Sequence, residues 1–137
     1  MGHPYHHALS SARKWGGKPE DYLALHNWFD STKSQFADFR HRALRHHSEG
    51  IFMAEHEFGT TITNSLERKV PTRVLAEQHV IEDLGRIPTV ADWLRMIKPE
   101  RWMGADVQQL SMEELTEEQK QGLQAYESDP ANKLYTN

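Results

Sequence analysis

Histidine and carboxylate together set the chemical theme of this chain. Nine histidines occur among 137 residues, cysteine is absent, and the histidines are spread over several segments instead of forming one tag-like run. The densest stretch is RHRALRHH, from Arg40 to His47, with Asp38 and Phe39 before it and Glu49, Glu55 and His56 after it. A second stretch, AEQHVIEDLG, sets His79 close to Glu82 and Asp83. Imidazole is the commonest transition-metal ligand and carboxylate its frequent companion, so a cysteine-free chain would use these groups to hold zinc, manganese, iron or nickel. The competing reading makes them ordinary core and surface residues.

Helices must position these groups. His3 to Trp15 reads as a short helix stopped by Gly16-Gly17, and Pro19 opens a second over EDYLALHNWFD. Ser31 or Thr32 caps a third, expected to run unbroken from about Lys33 to Phe58 and to end at Gly59. The segment TTITNSLERKVPTR has β-branched residues on either side of Asn64-Ser65 and predicts a small hairpin or ordered loop near residues 60–72. A fourth helix spans about Arg73 to Leu84. Thr89 caps a fifth, VADWLRMI, which Pro99 terminates. Ser111 and Glu114 form a capping-box pattern for a last helix near Glu113 to Tyr126, followed by a loose tail. The expected architecture is therefore mainly α, five or six helices in an irregular bundle with one hairpin. A His-rich domain over 1–104 is followed by an acidic extension over 105–137.

Advancing about 100° per residue along the expected third helix puts Phe36, Ala43, Ile51, Ala54 and Phe58 on one core-facing side, with Leu44 at its edge. Arg40 and His47 fall in the middle of that side, where each would need a buried partner. On the fourth helix His79, Glu82 and Asp83 share a face opposite Val74, Val80, Ile81 and Leu84. If the two helices pack together, His47 meets His79 and a carboxylate. His41 and His46 point away from His47 and from each other, so at most one of them joins it. His26, four residues before Asp30, is a further ligand or hydrogen-bond partner, His56 is expected to be exposed, and the terminal His3 and His7, four apart, have the spacing to chelate but more commonly face solvent.

Composition sets the outer bounds. One domain of this length buries about two thirds of its unfolded surface and needs no staple. Sixteen basic and twenty acidic residues give a net charge of −4, which argues against nucleic acid as a partner, although Arg40, Arg42, Arg45 and Lys69 form a local basic group. No cysteine framework, leading apolar run or membrane span is visible, so a cytoplasmic protein is expected.

The segments HPYHHALSSARKWGGKPEDYL, LHNWFD, DFRHRALRHHSEGIFMAEHEFG and EQHVIEDLGRIPTVADWL resemble a small domain-of-unknown-function family of bacteria and phages, over about residues 3 to 104. That resemblance implies no activity. A fainter one is to the HD-domain phosphohydrolases: His47-Ser48 is similar to their first metal histidine on its helix, and His79, Asp83 and Gly85-Arg86-Ile87-Pro88 to their later His-Asp and G-D-I-P segment. Val80 stands where the paired Asp would be, and the stretch to Pro88 is short.

The sequence thus points to a metal-dependent hydrolase of a phosphate ester or nucleotide. In that reading His47, His79 and Asp83 are ligands, with His26 and His46 as further candidates. Glu82 takes a proton from water, and Arg40 or Arg42 neutralises phosphoryl charge. The alternative is a non-enzymatic accessory or interaction protein, phage-related, whose His/Arg cluster is a buried hydrogen-bond network and whose Trp93, Trp102 and Met103 anchor a protein partner.

Overall fold

The computed structural model describes residues 3–104 and 117–128. The chain divides into two compact units, Met1–Trp93 and Leu94–Asn137. The first holds a His- and carboxylate-rich cluster.

It opens with α1 (Pro4–Trp15), capped by the His3 ring, which accepts from the Tyr5 amide, and closed at Gly16, whose φ of 84° suits a residue without a side chain. After Pro19 comes α2 (Glu20–Asp30), which packs along α1. Two 3₁₀ turns follow, Ser31–Ser34 and Phe39–Leu44, before α3 (Ser48–Phe58). Strands β1 (Thr61–Thr63) and β2 (Lys69–Pro71) pair antiparallel with Ile62 opposite Val70, as the β-branched run predicted. The chain then enters α4 (Thr72–Leu84), which packs against α1, α2 and α3 and ends at a left-handed Gly85.

A mainly helical protein with one two-stranded hairpin is therefore what the sequence led us to expect. The long third helix is not. Residues 33–58 break into the two 3₁₀ turns and α3, because short polar side chains offer the backbone other partners. Asp38 accepts from the Arg40 amide at 2.9 Å, and Ser34 and Thr32 hydroxyls donate to carbonyls three residues back. The extended His47 then caps α3, its Nδ1 accepting from the Gly50 amide at 3.0 Å. With the continuous helix gone, its expected apolar side dissolves too: Ile51 and Ala54 are buried, but Phe36 and Leu44 are about half exposed.

The apolar side expected for α4 is only partly the buried one. Val74 and Ile81 face outward, while Leu75, Ala76, Gln78, His79 and Val80 are buried. The face that carries His79 and Asp83 is thus the core face, closed by Tyr22, Leu25 and Phe29 from α2. Much of this polar stripe is satisfied by its neighbours, Gln78 by Ser11, the His7 carbonyl and Glu82, and Asp83 by His7 and His46.

The hairpin is tied to the α1–α2 end of the bundle by buried Asn64, whose Nδ2 donates to the Tyr22 hydroxyl (3.1 Å) and the Trp15 carbonyl (3.2 Å). Helix α5 (Val90–Leu94) starts as predicted at Thr89: its Oγ1 accepts from the Asp92 amide while Asp92 accepts from the Thr89 amide. It stops three residues earlier than the predicted VADWLRMI segment. Within the second unit a 3₁₀ turn, Arg101–Met103, precedes α6 (Glu117–Ser128). The Ser111–Glu114 capping pattern and the tail beyond 128 lie outside the described residues. Among those described, no helix is long and apolar enough to cross a membrane.

Candidate metal centre

Three elements deliver four ligand atoms to one point. Asp30 comes from the last position of α2, His46 from the turn before α3, and His79 and Asp83 from successive turns of α4. One ligand atom from each lies within 4.8 Å of the other three. His46 Nε2 is 3.0 Å from Asp83 Oδ2 and 3.7 Å from Asp30 Oδ1. His79 Nε2 approaches the same two oxygens at 3.3 and 3.5 Å, yet neither approach has hydrogen-bond geometry, and this nitrogen is left buried and unpartnered. Both rings are wholly buried, and the two carboxylate side chains are nearly so, at 6% and 1% exposed.

Phe29 stacks on the His79 ring with centroids 4.8 Å apart, giving the site an apolar wall. On the other side the Trp93 indole donates to the His46 carbonyl at 3.0 Å and steadies the turn that presents His46. Trp93 is thus occupied in packing around the site, whereas Trp102, in the second unit, is 78% exposed.

A ring of polar groups surrounds the four. His7 of α1 bridges two carboxylates, its Nδ1 2.8 Å from Glu82 Oε1 and its Nε2 3.2 Å from Asp83 Oδ1. Burial works against charge on His7, but these two partners outweigh it and raise its pKa. Burial alone would also raise the Asp83 pKa, yet the surrounding His46, His7 and His79 rings hold it far below the usual carboxylate range. Asp30 is likewise lowered against its burial, chiefly by His79. Burial pushes His46 down, and burial with the neighbouring His79 and His7 rings pushes His26 down to about 2. Ionised carboxylates beside a neutral imidazole are the protonation states a cation requires.

Of the residues singled out from sequence, the fold brings together His46, His79 and Asp83. His26 touches the group only through His79, Nδ1 to Nδ1 at 2.9 Å. His47 stands apart: it is buried, but its Nδ1 is committed to capping α3. Arg40, expected in the core, is exposed and paired bidentately with Asp38, since the broken helix turns it outward. Arg42 lies at the site, its Nη2 3.7 Å from Asp83 Oδ1 and its buried Nε without a hydrogen-bond partner. Glu82 sits one layer out, its oxygens taken by His7, Ser10 (2.6 Å) and Gln78 (2.9 Å), and these bonds overcome burial to lower its pKa.

Sequence reasoning passed over Asp30, Ser11 and Gln78, and expected His7 to face solvent, although it is buried at the site. The signal available was a repeated spacing of four, His7/Ser11, His26/Asp30, Gln78/Glu82 and His79/Asp83, which stacks one polar residue over another on a single helix face. His41, also buried, is held by Thr32, with Oγ1 2.7 Å from its Nδ1.

Two imidazoles and two carboxylates, without thiolate, make a hard to borderline donor set suited to zinc, manganese, iron or nickel. No curated protein and no solved structure matches this chain. A family model does, over residues 2–103, and the chain belongs to the family described as a domain of unknown function (DUF6915).

Proposed function

We propose that this protein binds a divalent transition-metal ion through Asp30, His46, His79 and Asp83, and uses it in the hydrolysis of a phosphate ester or nucleotide. The observation that carries the reading is the convergence itself. Four ligand atoms are drawn from three separate elements into a buried volume, and His79 Nε2 is left there without a hydrogen bond. An unpaired nitrogen facing two carboxylate oxygens in the core is costly, and a cation between them removes that cost.

Arg42 supports the hydrolytic part. Its guanidinium borders Asp83 with an unused Nε, and a planar fork of donors matches phosphate oxygens. A bound ion would supply Lewis acidity next to it. Glu82, with its oxygens already occupied and its pKa lowered, is better placed to orient His7 than to accept a proton from water.

A second reading keeps the ion and drops the catalysis. All four ligands are shut in, as in closed structural sites, and the protein then acts as an accessory or interaction module. Elemental analysis of tag-free protein before and after chelation tests the shared claim: about one ion per chain is expected, lost in His79→Ala. Full metal occupancy in that variant, or none in the parent, would sink the centre. A panel of phosphomonoesters and nucleotides assayed with the loaded protein and with Arg42→Ala then separates the two readings.

A further inference from the structure

We infer that Gln78, Ser11 and His26 form a one-way hydrogen-bond relay whose polarity keeps a proton on His79 Nδ1, so that Nε2 is the nitrogen His79 can offer to an ion between Asp30 and Asp83. His26 is then a positioning residue, not a ligand.

The polarity is set at the far end. Gln78 Nε2 lies 3.0 Å from the His7 carbonyl and 2.9 Å from Glu82 Oε1, and both of these oxygens can only accept. The amide is thereby locked with its Oε1 toward Ser11 Oγ, 2.9 Å away. Ser11 has one proton. Turned to His26, it would leave Gln78 Oε1 facing a Ser11 lone pair at 2.9 Å, so it goes to Gln78 Oε1 and Ser11 presents a lone pair to His26. His26 Nε2, 2.8 Å from Ser11 Oγ, must therefore donate.

His26 is fully buried and touches no carboxylate, so its ring is neutral and Nδ1 carries the lone pair. Facing it at 2.9 Å is His79 Nδ1, which must supply the proton. With Nδ1 so committed, only Nε2, the buried nitrogen already found without a hydrogen bond, can offer a lone pair to an ion. Donation thus runs from His79 through His26, Ser11 and Gln78 to Glu82. It ends on a negative charge that makes every link a better acceptor and the His79 nitrogen a better base. The lone pair has a use only if the centre holds an ion, so the inference rests on the reading above for its consequence.

Two measurements test it on the full chain. Long-range ¹H–¹⁵N spectra of metal-free protein at pH 8 read ring tautomers directly. The expected pattern is a protonated Nδ1 on His79 and a protonated Nε2 on His26. An unprotonated Nδ1 on His79, or a protonated Nδ1 on His26, would overturn the inference whatever the metal content. Zn²⁺ affinity by chelator competition and the visible spectrum of the Co²⁺ form are then compared in two variants. His26→Leu removes the acceptor and is expected to bind about 10- to 100-fold more weakly with an altered Co²⁺ spectrum. His26→Asn, whose Oδ1 replaces the Nδ1 acceptor, is expected to recover most of that loss. Parental affinity and spectra in His26→Leu would overturn the relay. If the parent protein binds neither ion, the metal centre fails while the tautomer pattern is still decided by its own spectra.

Discussion

The backbone carbonyl of Arg45 lies so close to the α-carbon of Gly50 that no side-chain atom fits between them. Gly50 is the third residue of α3, and Arg45 ends the turn that presents His46. The glycine is therefore what lets the chain fold back over the start of α3 and bring His46 into the core.

Gly50→Ala is accordingly expected to destabilise the protein by about 2 kcal/mol or more, since the clash is with backbone and cannot be relieved by a rotamer change. Urea unfolding measures it. A change below about 0.5 kcal/mol would show that the turn before α3 is free to shift.

Tyr22→Phe should cost about 1 to 2 kcal/mol. The buried hydroxyl donates to the Gly16 carbonyl at 2.7 Å and accepts from Asn64, so its removal strands one group on the α1–α2 loop and one in the hairpin. Thermal unfolding of the variant checks this, with Asn64→Ala expected to be at least as harmful.

Chelation should lower the melting temperature of the protein as purified and leave that of Asp30→Asn or His46→Gln unchanged, because an ion held only by the folded chain stabilises it by mass action. Differential scanning with and without EDTA is sufficient. A melting temperature indifferent to EDTA in metal-loaded parent protein would contradict the proposed centre.

Acid should destabilise the metal-free protein. His26 and His46 have folded pKa values below their unfolded value of about 6.5, so the stability they lend is present above that pH and is lost as pH falls. Each contributes a slope of about 1.4 kcal/mol per pH unit until its folded pKa is reached, which for His26 is about 2. His7 runs the other way, its contribution complete below about 6.5 and fading as pH rises through its raised folded pKa. His41 and His47, likewise lowered by burial, act in the same direction, so below pH 6 the histidine contributions together favour unfolding as pH falls. Urea midpoints between pH 7.5 and 5 should fall; a flat or rising profile would show that these rings do not stay neutral.

Arg40→Ala and Arg42→Ala should part company. Arg40 is exposed and pairs with Asp38, and its loss should leave melting temperature and metal content unchanged. Arg42 is 11% exposed and borders Asp83, so its loss should leave metal content intact while reducing any phosphate-ester turnover at least tenfold. Equal turnover in both variants would remove Arg42 from the proposed reaction.

Helix ends at Gly16, Gly59 and Gly85 and the hairpin flanking Asn64 were legible in the sequence because they depend on local backbone chemistry. His46, His79 and Asp83 were legible as a chemical type. The rest failed for one physical reason. Apolarity was used to find the inward faces, and in α4 the inward face is partly polar: Gln78, His79 and the Asp83 side chain are buried while Val74 and Ile81 are not. Such a face is recognisable only once its partners on other helices are known, and Ser11, His7 and Asp30 arrive from α1 and α2. The break between Ser34 and Phe39 was hidden likewise, since side-chain bonds from Thr32, Ser34 and Asp38 compete with a helix that periodicity alone would continue.

The proposed ligands are spaced along the chain so that Asp30 and His46 are synthesised well before His79 and Asp83. On a growing polypeptide the first pair has no counterpart, and neither half has enough donors to retain an ion against water and competing thiols. Capture would become effective only after α4 has emerged and packed on α2. Metal uptake would thus wait until the chain has been made through Asp83, and chains truncated before it would not retain the ion.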